Sequence, residues 1–323
     1  KTNLQHPDKF LPGEHGFRFF PGFYKHITAT MKEIPFVDEN GNEQKDGCFG
    51  NLVPTTRIML ARYGKQSIVT VASFPKNKSD IKLLIRDMHG ADSGLSKAEE
   101  EFFAEKMWQL MTSSQERRNA VYEGIGWWDY LEADRFSKAY QTLLVEGLTR
   151  TLVAAQAQTA STKTGGDILL QLIFNMADPG VNTDRVLNGP TNDKWLNPWL
   201  KYLEKNGVKY HFHHEVKDIQ LKDDKIEAAY VKKQGGDLVK IEADYFVLAV
   251  PVEVAAPLVS GAIEKKDSVL KGLEPLAKSV SWMNGMQFYL NQDVTITNGH
   301  CIYSDSEWAV TSISQMQFWK GYD

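Results

Sequence analysis

Apolar and polar positions recur along this chain with different periods, and each period predicts a different element. Val208-Lys209-Tyr210-His211-Phe212 alternates directly behind Asn206-Gly207, a helix-stop pair, and predicts a short strand. Residues 226–232 and 237–242 alternate as well and flank Gly235-Gly236, which predicts a β-hairpin. Tyr245-Phe246-Val247-Leu248-Ala249-Val250 is apolar throughout, the pattern of a strand buried on both faces of a parallel sheet. Pro251 stops that run, and residues 252–259 read as the helix that follows. The predicted order is helix, strand, antiparallel excursion, buried strand, Pro turn, helix.

Elsewhere helical spacing dominates. Tyr24, Ile27, Met31 and Ile34 share one stripe, which predicts a helix within residues 21–34. A polar loop at 38–49 leads to strands at 56–63 and 67–74, separated by Gly64-Lys65. From about 80 to 160 the pattern is helical with few breakers, and Thr164-Gly165-Gly166 opens a further helix to Met176. Asp178-Pro179-Gly180 reads as a loop crossing between domains. Residues 192–205 read as a helix with Trp195 and Trp199 one turn apart.

The chain has 323 residues, room for two domains or one large one. Its 37 basic and 41 acidic residues nearly balance, and no basic run exceeds two adjacent residues, so no nucleic-acid partner is expected. Cys48 and Cys301 are the only cysteines, too few for a disulfide framework; a reducing, cytoplasmic location is the expectation. The longest apolar run, 245–259, is broken by Pro251 and Glu253 and falls short of a membrane span, leaving peripheral membrane contact as the most that is expected.

The segment Gly13-Glu14-His15-Gly16-Phe17-Arg18-Phe19-Phe20-Pro21-Gly22-Phe23-Tyr24 resembles a segment of FAD-dependent oxidoreductases of the phytoene desaturase and flavin-containing amine oxidase superfamily. There it passes over the isoalloxazine ring. Two further pieces resemble the same superfamily in the same order. Glu215-Val216 looks like the pair whose backbone meets adenosine, and Ala249-Val250-Pro251 looks like the strand end that lines the dinucleotide groove. Gly124-Ile125-Gly126-Trp127-Trp128 is similar to a substrate-domain helix of the desaturase-like group. Leu187-Asn188-Gly189-Pro190 is similar to a loop that feeds the adenine strand, and a weaker echo runs through residues 279–290 and Thr311-Ser312-Ile313-Ser314-Gln315.

This resemblance implies an α/β fold: an FAD-binding, Rossmann-like parallel sheet of the glutathione-reductase type with an antiparallel excursion, plus a largely helical α+β substrate domain. It places the FAD-binding layer in residues 10–60 and 180–262, and the substrate domain in 61–179 and 263–323. It implies FAD as cofactor and hydride transfer from an apolar, isoprenoid- or carotenoid-like substrate. His15 and Arg18 are the implied catalytic pair. Gly13, Glu14, Gly16, Glu215, Val216, Val250 and Pro251 are implied to bind the cofactor, and Phe20, Trp127, Trp128 and Trp282 to wall the substrate.

Departures from the pattern keep two alternatives open. No G-x-G-x-x-G follows a strand, so the backbone cradle for pyrophosphate is not in this sequence, nor is the C-terminal Gly-Asp motif. An internal portion of a longer flavoprotein, holding FAD weakly, is the expectation; a non-catalytic scaffold of the same fold is the rival. Amine oxidases carry a Lys on a strand that corresponds loosely to residues 283–289, where Asn284 stands here and Lys278 lies six residues earlier. That lowers amine oxidation below desaturation without removing it. His211, His213, His214 and Glu215 bunch like metal ligands, but no second ligand cluster accompanies them, and solvated strand-end histidines are the expectation. Ser93-Gly94 lacks the surrounding G-x-S-x-G of a hydrolase, and Glu99-Glu100-Glu101 reads as a solvated helix face.

Overall fold

The computed structural model describes residues 12–14, 16, 18–64, 67–70, 77–89, 93–150, 154–177 and 184–320. They form a mixed α/β chain in two compact units, residues 1–202 with 284–323, and residues 203–283. The strands in chain order are β1 (Leu52–Pro54), β2 (Arg57–Ala61), β3 (Ile68–Thr70), β4 (Arg185–Leu187), β5 (His214–Lys222), β6 (Lys225–Lys233), β7 (Leu238–Ile241), β8 (Gly299–Tyr303) and β9 (Thr311–Ser312).

In the larger unit β3-β2-β8-β9 make one sheet, and β2 with β8 is the parallel pair, Arg57 opposite Gly299 through Ala61 opposite Tyr303. Gly299 permits that approach: a Cβ there would lie 2.0 Å from the Arg57 carbonyl oxygen. A second ladder pairs β1 antiparallel with β4, and the 18–20 segment adds a third edge. Phe19 bridges Val186, while Phe20 and Arg185 exchange N–H to C=O bonds of 2.8 and 3.2 Å.

Two cores fill this unit. One is helical and gathers residues from Ile81 to Leu170, with Trp127, Tyr140, Leu131 and Leu144 almost fully buried. Its longest members are the helices Lys78–His89, Lys97–Met111 and Thr162–Ala177. The middle one starts cleanly because Ser96 and Glu99 cap each other: the Ser96 hydroxyl accepts from the Glu99 N–H, and the Ser96 N–H donates to the Glu99 carboxylate at 2.7 Å. Glu99 is therefore buried and bonded, while Glu100 and Glu101 stay on the wetter side as expected. The second core gathers Phe20, Met31, Ile34, Phe36, Cys48 and Leu187, with Trp195 and Trp199 stacked 6.1 Å apart against it. Here Ile27, Met31 and Ile34 of the predicted stripe on the first helix, Lys25–Glu33, find their partners, while Tyr24 stays exposed before the helix.

The smaller unit is built on the antiparallel sheet β5-β6-β7, with Val252–Val259 as the helix predicted for that stretch. The 226–232 and 237–242 hairpin forms around Gly235 and Gly236 as its alternation implies. Asp223 and Asp224 both adopt positive φ and make a second turn, between β5 and β6, which lacks the glycine that would announce it.

Two strand expectations are corrected. Residues 245–250 form no strand, and Tyr245 and Val247 are about nine-tenths exposed. An all-apolar run becomes an interior strand only between two parallel neighbours, and none of the described strands pairs with it. Residues 208–212 are exposed and form no ladder, and the strand begins at His214 instead. The compact units divide at 202/203 and 283/284. The Rossmann-like parallel sheet is accordingly not assembled among the described residues; β2 with β8 is their one parallel pair. The Asp178-Pro179-Gly180 loop lies outside the described residues. No described helix is long and apolar enough to cross a membrane.

Candidate functional site

The larger unit holds a cleft lined by Glu14, Arg18, Val186, Leu187, Gly189, Thr191, Ile313, Gln315, Phe318 and Trp319, with about 310 Å³ of empty space counted to its mouth. Three distant segments build it. The 13–18 loop forms one wall, the turn from β4 into the 191–205 helix forms the floor, and the segment after β9 forms the other wall. Leu187, at the end of β4, is anchored in the second core, which fixes the turn Asn188-Gly189-Pro190 above it. Asn51 donates its side-chain amide to the Lys194 carbonyl at 2.8 Å and accepts the Asn188 N–H at its own carbonyl at 2.9 Å, holding both ends of that turn.

Glu14 ties the loop to the helix. The Thr191 N–H donates to one carboxylate oxygen at 2.7 Å and the Thr191 hydroxyl to the other at 3.0 Å. A carboxylate is favoured there because the first N–H groups of a helix have no intrahelical partner. On the opposite side the Glu14 N–H donates to Gln287 Oε1 at 2.9 Å, and the Tyr289 hydroxyl donates to the Pro12 carbonyl. Burial, and then the charge of Glu14, push the Tyr289 hydroxyl above the ordinary tyrosine range, so it stays a donor. Gly16 sits at φ +122, a conformation that side-chain-bearing residues rarely adopt, which lets the loop turn towards the Phe19 bridge. Arg18 is exposed and reaches the cleft.

Behind the Phe19 bridge lies a buried polar pair. His300 Nδ1 is 2.8 Å from Asp184 Oδ2, and the Phe19 ring meets the His300 ring edge-on at 5.1 Å. Asp184 also accepts the Arg185 N–H at 2.8 Å, and its carbonyl accepts the Thr55 N–H at 3.0 Å. This pair joins the β1–β4 ladder to the sheet that contains β8.

Of the residues expected at a site, Gly13, Glu14, Gly16 and Arg18 share this loop, and Glu14 and Arg18 line the cleft. His15 lies outside the described residues. Phe20 is 4 % exposed and packs edge-on against Trp195 at 5.6 Å, in the core rather than on a substrate wall. Trp127 is 1 % exposed inside the helical core, where its indole N–H donates to the Val145 carbonyl at 3.2 Å, and Trp128 packs against that same core. Both are packing residues. Trp282 is 74 % exposed in the smaller unit and is not among the residues that line this cleft. In that unit Glu215 and Val216 lie within β5, not beyond a strand end, and Val250 and Pro251 are exposed. Thr191, Gln287, Tyr289, Phe318, Trp319 and the Asp184–His300 pair were not anticipated from the sequence. The weaker echoes of the superfamily at residues 279–290 and 311–315 run through or beside Gln287, Tyr289, Phe318 and Trp319 without singling out those residues.

No family model matches the chain, and no curated protein does. Among solved structures it is similar to an oxidoreductase from Methanosarcina mazei, at 13 % identity over 69 % of this chain and 46 % of that one, with a TM-score of 0.45. It is also similar to a double mutant of putrescine oxidase made in a redesign of cofactor binding, at 12 % identity over 68 % and 46 %, with a TM-score of 0.40. The chain thus spans less than half the length of either structure.

Proposed function

We propose that this chain is part of an FAD-dependent oxidoreductase and that the cleft beside Arg18 receives the flavin ring. One observation carries the reading. Three stretches that resemble the flavoprotein superfamily, at residues 13–18, 187–190 and 311–315, are far apart in sequence and line a single cleft. The cleft chemistry fits a flat ring with polar edges: Phe318 and Trp319 offer apolar surface, Gln315 offers an amide, and the Arg18 guanidinium offers a fixed positive charge. Glu14 is committed to Thr191 and shapes the loop rather than meeting the ring. His15 would stand beside Arg18 as the second residue of the pair.

The bound flavin would supply the hydride acceptor; the protein supplies position and environment. Arg18 would place its charge where negative charge grows on the acceptor, an interaction strongest where water is excluded. Phe318 and Trp319 would exclude that water. An apolar, isoprenoid-like substrate rests on the resemblance at residues 13–24, with amine oxidation as its rival, and the exposed Lys278, paired with Glu274 at 2.7 Å, gives the amine reading no support. In the smaller unit, Glu215 and Val216 would offer strand backbone to an adenosine group, and Val250 and Pro251 would flank it.

The test is a flavin titration of the purified chain, read by quenching of flavin fluorescence. Binding is expected to be weak because no pyrophosphate cradle is encoded, and Arg18→Ala or Trp319→Ala should weaken it by about tenfold. Equal quenching by both variants and the parent would remove the ring from this cleft.

A further inference from the structure

The smaller unit carries a hollow rich in basic side chains, which adjoins the Glu215 backbone assigned above to adenosine. It lies at the His213 end of the β5–β6 hairpin and is lined by His213, His214, Lys217, Lys232, Lys233 and Glu215, with about 800 Å³ of space counted to its open mouth. Its form follows from the strand register. Lys233 stands opposite His214, and Lys232 opposite Glu215. Consecutive strand residues point to opposite faces, so Lys232 and Lys233 border one hollow only because it wraps the hairpin end beside the turn at Gly235. The ladder also slips between Val216 and Asp218, and such an irregularity takes Lys217 out of the regular alternation.

The charges in the hollow do not cancel. Lys217 holds Glu215 at 2.5 Å and so neutralises the one carboxylate lining the hollow. Lys232 and Lys233 have no carboxylate within ion-pair distance among the described residues, whereas Lys240, Lys266 and Lys278 of the same unit each have one. Two lysines therefore border one open hollow in a chain whose net charge is −4. A concave surface lined by one sign of charge focuses its field and concentrates counter-ions. His213 and His214 add ring nitrogens that can donate to an oxyanion.

We propose that this hollow binds the phosphate or diphosphate group of a small soluble molecule, held by Lys232 and Lys233 with the two histidines as further donors. The lysines suit a phosphate as compact point charges with several donors each. The hollow shares Glu215 with the adenosine contact proposed above, while the phosphate reading rests on the lysine pattern.

Inorganic pyrophosphate, which has no ring, is the probe. It is titrated into the full chain by calorimetry, against sodium chloride of matched ionic strength, and binding in the millimolar range or tighter is expected. Lys232→Gln with Lys233→Gln should weaken it at least about tenfold. Lys222→Gln with Lys225→Gln removes the same charge at the opposite end of the same hairpin and should leave it unchanged. Lys232→Arg with Lys233→Arg, which keeps the charge, should retain most of the affinity and show that the fold tolerates change there. Absence of pyrophosphate binding beyond the chloride control overturns the proposal. So does equal weakening by both Gln pairs, or binding to phosphatidic acid vesicles without binding to pyrophosphate.

Discussion

Glu14 and Thr191 are 177 residues apart in sequence and share two hydrogen bonds, one to the Thr191 N–H at 2.7 Å and one to its hydroxyl at 3.0 Å. The contact fastens the 13–18 loop to the start of the helix that floors the cleft, so the cleft's shape depends on it. Replacing Glu14 by Ala leaves the Thr191 N–H without its acceptor, and a loss of about 1–3 kcal/mol in urea unfolding is expected. Glu14→Gln keeps a neutral acceptor and should lose less. The decisive measurement is a double-mutant cycle with Thr191→Ala. A coupling energy near zero would mean that the two residues do not hold each other.

Trp127 illustrates how an aromatic pair can suggest a site and serve a core. It is 1 % exposed, its indole N–H is bonded, and a Cβ added to Gly165 would sit 3.3 Å from its ring. Trp127→Ala should therefore cost about 3–5 kcal/mol, the range for emptying a buried aromatic position. Gly165→Ala should also destabilise, since the ring has little room to give. If Trp127→Ala instead melted with the parent protein, the residue would have to lie on a cleft wall after all.

Local signals explain which parts of the fold were readable. The hairpin at Gly235-Gly236, the helix behind Pro251 and the stripe of Ile27, Met31 and Ile34 depend on residues close in sequence, and all form as the pattern predicts. Residues 245–250 carry an equally strong apolar pattern and form no strand, because a buried strand depends on neighbours that its own residues cannot specify. The cleft was half readable. Glu14 and Arg18 sit in a loop marked by two glycines, but Thr191, Gln287 and the Phe318-Trp319 pair meet them only through long-range packing. The Asp184–His300 pair left no trace in sequence, since nothing local connects two residues on different ladders.

Glu99 gives the chain a defined acid sensitivity. Burial pushes its carboxyl upward, but hydrogen bonds from Ser137 and Ser96 outweigh that and hold it below its ordinary value of 4.5. The Ser137 N–H donates at 2.8 Å and the Ser96 N–H at 2.7 Å. A carboxylate depressed on folding adds stability that is fully present above the unfolded value and is lost as pH falls through the folded one. Glu99→Gln should thus lower the urea midpoint at pH 7, by about 1–3 kcal/mol in free energy. The difference from the parent should shrink progressively below pH 4.5. A difference that stays constant down to acid pH would show that the charge of Glu99 adds nothing.

The two thiols report on the integrity of the larger unit. Cys48 is fully buried, and burial raises its thiol to about 12. Cys301 is buried too, and burial raises it despite bonds from Tyr303 and Ser312 that pull the other way. The thiolate is the reactive form, so neither side chain should react with a thiol reagent at pH 8 while the protein is folded. Cys48 sits in the core with Met31, Ile34 and Leu187, directly beneath the turn that floors the cleft. Its exposure therefore requires that core to open. Labelling should be slow in buffer and complete in denaturant, and Leu187→Ala, which loosens that core, should speed labelling of Cys48 more than of Cys301. Rapid labelling of Cys48 in the untreated protein would show that the core beneath the cleft is not closed.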